Sequence, residues 1–177
     1  MNSDGIAVPR DRSQAVFAST DIFSFGNTVA ETSLAPVGRG SLVVPKHFFK
    51  AGSLTSIRLF GYFSAEGSSV NFTFRFKIDG TLVANITVDP TISSAAKKVF
   101  ADLDVYVPEV GTSVLGYLDG RVRLEGSALL DSFEMPTGTA ALNTTLAHTF
   151  AITGQFASAS PDDFINILSV RLTRHPQ

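Results

Sequence analysis

The chain has no cysteine and no tryptophan. Without cysteine there is no disulfide, no thiolate nucleophile and no cysteine-held zinc, so the fold rests on burial alone, which suits a reducing cytosol. Without tryptophan the broadest aromatic platform for stacking a sugar ring is missing, and the tyrosines are only Tyr62, Tyr106 and Tyr117. Charge is scarce as well. Charged residues make up 17% of the chain, the formal net charge is -2, and no run of Lys or Arg exceeds the pair Lys97-Lys98. That balance removes the attraction on which phosphate-backbone binding depends, so nucleic acid is not an expected partner. No apolar run reaches the roughly 18 residues of a membrane span, and residues 1–12 lack the basic stretch followed by an apolar one that a secretory signal needs. The expectation is a soluble, unexported protein with no membrane partner.

What the chain does have is phenylalanine, 15 of them, within a hydrophobic content of 44%. In 177 residues this is ample for one sizeable core and argues for a single domain. Residues 69–79 alternate apolar and polar side chains without a break. Val70, Phe72, Phe74, Phe76 and Ile78 form one face of a strand, and Asn71, Thr73, Arg75, Lys77 and Asp79 the other. Asp79-Gly80 then offers the positive φ angles of a two-residue hairpin turn, and residues 81–88 return. Similar short extended segments follow one another from Ala15 to about residue 174, the pattern of an all-β antiparallel β-sandwich. Asp119-Gly120 is read as a second hairpin turn, and residues 45–52, with Pro45 first and Gly52 last, as one helical turn. Residues 1–14 are polar and without period. They are expected to form an N-terminal extended arm ahead of a sandwich domain spanning 15–177.

Two strands carry apolar side chains on both faces. With Ile57, Leu59 and Phe63 turned inward, Phe60 and Tyr62 point outward, and along residues 99–107 the outward set is Phe100, Asp102, Asp104 and Tyr106. Outward aromatic rings call for a cover, either the N-terminal arm or a long loop of the chain or a neighbouring subunit, so Phe60, Tyr62, Phe100 and Tyr106 are the interface candidates.

Groups that do chemistry are hard to find. His47, His148 and His175 are far apart and stand in none of the short spacings that hold a metal, and no Gly-x-Ser-x-Gly elbow or phosphate-cradling loop is present. His148 shares an alternation with Leu146, Phe150 and Ile152 and reads as a buried or interface histidine with a hydrogen-bond partner. Asp102 with Asp104, and Asp162 with Asp163, could serve a hydrolase or a calcium site, though exposed carboxylates of this kind are usually just solvated. The expectation is therefore no catalytic residues, no metal, no cofactor and no enzyme. A sugar-binding face, if present, has Phe60, Tyr62 and Tyr106 as its visible candidates.

The stretch Ser41 to Ser53, then Ile57 to Phe63, then Val70 to Thr81 resembles a family of tailed-bacteriophage virion proteins with a jelly-roll fold. In that family a valine-isoleucine-proline phrase, a short turn, lysine and glycine precede a threonine-rich hairpin. Residues 99–107, 111–116 and 150–163 leading into 165–172 are also similar, so the likeness spans about residues 40–174. Phe156 departs from it, standing where such proteins often have tryptophan. The resemblance implies a jelly roll and a virion location after assembly in the host cytoplasm. It further implies a structural role as a capsid decoration or cement protein that braces the head; the expected form is a homotrimer, with its own copies and the major capsid protein or other virion proteins as partners. The alternative is a receptor- or glycan-binding head domain of a tail fibre or spike. A hydrolase on the same scaffold comes third.

Overall fold

The computed structural model describes residues 14–19, 22–26, 28–35, 39–40, 42–64, 71–88, 97–125, 130–134, 138–159 and 163–175. Among them there is no helix. The strands are β1 (Gln14–Ser19), β2 (Phe23–Gly26), β3 (Thr32–Ser33), β4 (Arg39–Gly40), β5 (Val43–Val44), β6 (Ser53–Ser64) and β7 (Phe72–Ile78), followed by β8 (Thr81–Val88), β9 (Lys97–Val107), β10 (Val114–Glu125), β11 (Leu130–Glu134), β12 (Gly138–Leu142), β13 (His148–Phe156) and β14 (Phe164–His175). The arm expected over residues 1–14 lies outside the described residues, apart from Gln14, which opens β1. Asp162 also lies outside them.

Every pairing is antiparallel, and the strands form two sheets. The larger runs β11-β10-β9-β6-β14-β1-β4, with β12 beside β10 and β2 beside β14; the smaller runs β3-β13-β7-β8, with β5 beside β13. The pairs are nested along the chain: β1 with β14, β3 with β13, β6 with β9, β7 with β8. A long antiparallel ribbon wound on itself produces this nesting, which is the jelly roll. The strands β10, β11 and β12 then widen the large sheet beyond β9.

Between the layers lies the phenylalanine core. Phe72, Phe74 and Phe76 of β7 are fully buried, as are Phe150 and Phe156 of β13 and Phe63 of β6. Phe63 crosses from the large sheet to meet Phe72 edge-on at 5.6 Å and Phe156 in a stack at 5.9 Å, while Phe25 of β2 stacks on Phe156 at 5.6 Å. Such offset and edge-on pairs add to the burial itself. Gly154 explains how the rings fit: it lies on the inward face of β13, and a Cβ there would sit 2.3 Å from Cζ of Phe72 and 2.9 Å from Cδ1 of Leu34. The missing side chain is the space that the Phe72 ring occupies.

The first hairpin closes as expected, with Asp79 at φ 52° and Gly80 at φ 77°. Its register needs one adjustment. Counting straight back from the turn would set Asn85 opposite Phe74, but a bulge between Phe76 and Lys77 brings Ala84, Ile86 and Val88 opposite Phe76, Phe74 and Phe72. A second bulge, between Ile167 and Ser169, shifts the phase of β14 so that Ile165 and Ile167, then Val170 and Leu172, all face the core.

Two sequence expectations are corrected. Asp119-Gly120 is not a turn, because β10 runs through it, pairing Asp119 with Asp104 and Gly120 with Leu103. The alternation explains this. Val114, Leu118, Val122 and Leu124 are all buried, whereas a two-residue turn would have put Leu118 and Arg121 on one face. Residues 45–52 are not helical either. Phe48 N–H donates to Pro45 O and Ser53 N–H to Lys50 O, closing two separate turns, and the positive φ of His47 breaks any helix between them.

Candidate functional site

The two sheets present very different outer faces. On the small sheet, Thr73 and Thr87 share a hydrogen bond at 2.9 Å. Glu31, from the segment before β3, takes Lys77 and the Thr153 hydroxyl as partners and has Arg75 4.0 Å away. These donors and the nearby cations hold the Glu31 carboxyl below the ordinary carboxylate value. Gln155 Nε2 donates to Val29 O at 2.7 Å, and Leu34 N–H to Ile152 O at 2.9 Å. The chain between β2 and β3 thus lies along this sheet and gives Lys77, Thr153 and Gln155 their partners.

The outer face of the large sheet carries no such strap among the described residues. Register places its outward side chains in rows that run across the strands. One end row holds Tyr62 and Lys98, and the next Ser169, Phe60, Phe100 and Arg123. The central row is Arg171, Arg58, Asp102, Arg121 and Glu134. Beyond it come Ser56, Asp104 and Asp119, and finally Leu54, Tyr106, Tyr117 and Thr139.

The rows differ in how far they are satisfied. Phe60 and Phe100 lie 4.9 Å apart with Tyr62 6.1 Å from Phe60, and Arg123 covers the Phe100 ring at 4.7 Å, a cation over an aromatic face. These three rings are half-buried by one another. In the central row Asp102 stands between Arg58 at 3.9 Å and Arg121 at 3.7 Å, both longer than hydrogen bonds. Tyr106 and Tyr117 are neighbours across β9 and β10, 6.5 Å apart with planes 37° from parallel, and their exposures of 38% and 52% leave ring faces open to solvent.

Three neighbouring hollows lie along this face and share lining residues. A groove of about 580 Å³ is lined by Tyr106, Tyr117, Asp104, Asp119, Leu54 and Thr139 among others. A second, of about 380 Å³, lies over Phe60 and Phe100 with Arg58, Arg121, Arg123 and Arg171 around it. Arg58, Asp102, Asp104, Asp119, Gly120, Arg121 and Glu134 line a smaller one of about 180 Å³ between them. All four sequence candidates, Phe60, Tyr62, Phe100 and Tyr106, therefore lie on one face, but the structure separates them into two ends. Tyr117, Asp119 and Arg121 were missed because reading Asp119-Gly120 as a turn took β10 out of line with β9; the unbroken alternation of buried positions 114 to 124 was the available signal.

His148 is buried as expected, yet away from this face. Its Nδ1 is 2.6 Å from Oδ2 of Asp79 and its Nε2 2.7 Å from Asn143 O, while Thr149 N–H donates to Oδ1 of Asp79 at 2.8 Å. It locks the hairpin turn to the start of β13. Leu146, expected on the same buried face, is exposed in the turn that precedes the strand. Among the described residues no three His, Asp or Glu side chains gather into a metal-holding group, and no helix is long and apolar enough to cross a membrane.

No protein-family model and no curated protein matches the chain. Among solved structures it is similar to the CBM2 module of the evolved Dit of Lactobacillus casei BL23 phage J-1, with 13% identity and a TM-score of 0.38 over 92% of this chain and 96% of that one. At that distance the likeness transfers nothing about function.

Proposed function

We propose that this chain is a non-enzymatic, glycan-binding head domain of a bacteriophage tail fibre or spike, acting through the outer face of its large sheet. The observation that carries this is the Tyr106–Tyr117 pair, two open ring faces 6.5 Å apart above a groove of about 580 Å³ that Asp104 and Asp119 also line. Sugar rings offer an apolar C–H face, which stacks on an aromatic ring, and an edge of hydroxyls, which donate to carboxylates. A pocket of this size with aromatic walls and a few convergent polar groups is the usual form of a small-ligand site. Asp104 and Asp119 face each other directly across two strands, an arrangement that costs stability and that bound hydroxyl donors would relieve. The virion setting comes from the sequence phrases shared with tailed-phage jelly-roll proteins.

The test is a glycan array probed with the intact protein and with the Tyr106→Ala/Tyr117→Ala double variant. Binding by the former and loss in the latter, with unchanged melting, is the expected result. Silence of the intact protein across the array would refute the reading.

A decoration role, as a trimer seated on the major capsid protein, is favoured by a different observation, the half-buried cluster of Phe60, Tyr62 and Phe100 at the other end of the face. Under that reading Tyr62→Asp abolishes assembly and leaves a folded monomer, and the mass of the protein in solution reports the difference.

A further inference from the structure

We infer that the ligand of this face is an acidic glycan, whose carboxylate is held in the arginine-lined hollow over Phe60 and Phe100; this rests on the reading of the face as a glycan site. The hollow is lined by Arg58, Arg121, Arg123 and Arg171 against a single carboxylate, Asp102. Asp102 is shared between Arg58 and Arg121 at 3.9 and 3.7 Å, so it neutralises neither at hydrogen-bond distance. Arg171 stands directly opposite Arg58 across β14 and β6. Like charges in that position are destabilising unless an anion lies between them. Arg123 is held in place, its guanidinium 4.7 Å from the Phe100 ring centre and its Nε 3.0 Å from Glu125.

The remaining chemistry selects a carboxylated sugar over a bare anion. Guanidinium groups match a planar carboxylate in a two-bond fork. The same hollow has Phe60 and Phe100 as its apolar floor and Ser169 at its edge, which suits a ring carrying both a C–H face and hydroxyls. The central arginine row and the tyrosine row are four residues apart along β9, roughly 13 Å at the rise of an extended strand. The third hollow lies between them and shares lining residues with each, so one extended saccharide chain laid along the face can reach both. The charges also set its direction. Asp104 and Asp119 repel an acidic group from the tyrosine end, and the arginines draw it to the other.

The experiment uses the intact protein on an array holding neutral, uronate- or sialate-bearing, and phosphate-bearing glycans, followed by affinity measurement on those that bind. Carboxylated glycans are expected to bind at least tenfold tighter than their neutral methyl esters. That preference should vanish in the Arg58→Ala/Arg121→Ala double variant and fade with added salt, while both variant and wild type retain neutral glycans. Because Arg58 and Arg121 are largely exposed, with 61% of each side chain accessible, the variant should fold and its melting serves as the control. Equal affinity for acid and methyl ester, an unaffected double variant, or binding confined to phosphate-bearing glycans would overturn the inference while leaving the proposed function standing. No binding to any glycan would refute both.

Discussion

The outer faces of the two sheets differ in how their polar groups are paired and in whether aromatic rings stand among them. On the small sheet, Thr73, Lys77, Thr153 and Gln155 find hydrogen-bond partners in Thr87, in Glu31 or in the backbone of the chain leading to β3. On the large sheet, Arg58 and Arg121 stand 3.9 and 3.7 Å from Asp102, too far for hydrogen bonds, in one row with Arg171 and on the same face as the open tyrosine rings. A polar face whose groups are satisfied by its own chain has little left to offer a ligand. One whose charges are set out in rows but loosely paired keeps those groups free to meet a ligand under the proposed reading, because exposed ion pairs of this length contribute almost nothing to stability.

The contrast can be broken first at what both faces share, the core. Gly154→Val would force a side chain into the Phe72 ring, and the expected result is failure to fold, read by loss of the cooperative melting transition. Phe72→Ala should fold but lose about 3–5 kcal/mol in denaturant unfolding. Next comes the turn lock: Asp79→Ala removes the acceptor of both His148 Nδ1 and Thr149 N–H and should cost about 2 kcal/mol without touching ligand binding. On the large face, Tyr117→Ala should shift stability by no more than about 0.5 kcal/mol yet weaken glycan affinity about tenfold. A matching stability loss would mean that this face is structural after all.

The smallest effect belongs to the small face. Glu31 titrates below its ordinary value when folded, so its contribution is fully present above the unfolded value and is lost as the pH falls through the lowered one. Glu31→Gln should therefore flatten the acid limb of the stability curve slightly. An identical curve for the two proteins would remove Glu31 as the tie between the strap and the sheet.

The sandwich was legible because alternation is a local signal: Phe72 to Ile78 needs no knowledge of its neighbours to declare which side is buried. The inward and outward sides of β6 and β9 were read correctly for the same reason. The two Asp-Gly pairs show the limit. Both offer the residues of a tight turn, but only at Asp79-Gly80 does the chain reverse, since burial of Leu118 and Val122 on one face keeps the other in a through-going strand. The site depended on that difference. Tyr117, Asp119 and Arg121 come into line with Tyr106, Asp104 and Asp102 only once β10 pairs continuously with β9. The bulges in β8 and β14 and the Glu31 strap arise from contacts distant in sequence, which no local pattern announces.

The most direct test of the central claim is to titrate the isotope-labelled protein with a glycan that it binds and map the amide shift changes by NMR. The account expects them to run along the outward positions of β9 and β10, with Asp104, Tyr106, Tyr117 and Asp119 at the centre. Changes concentrated on β7 and β13, on the far side of the sandwich, would contradict it.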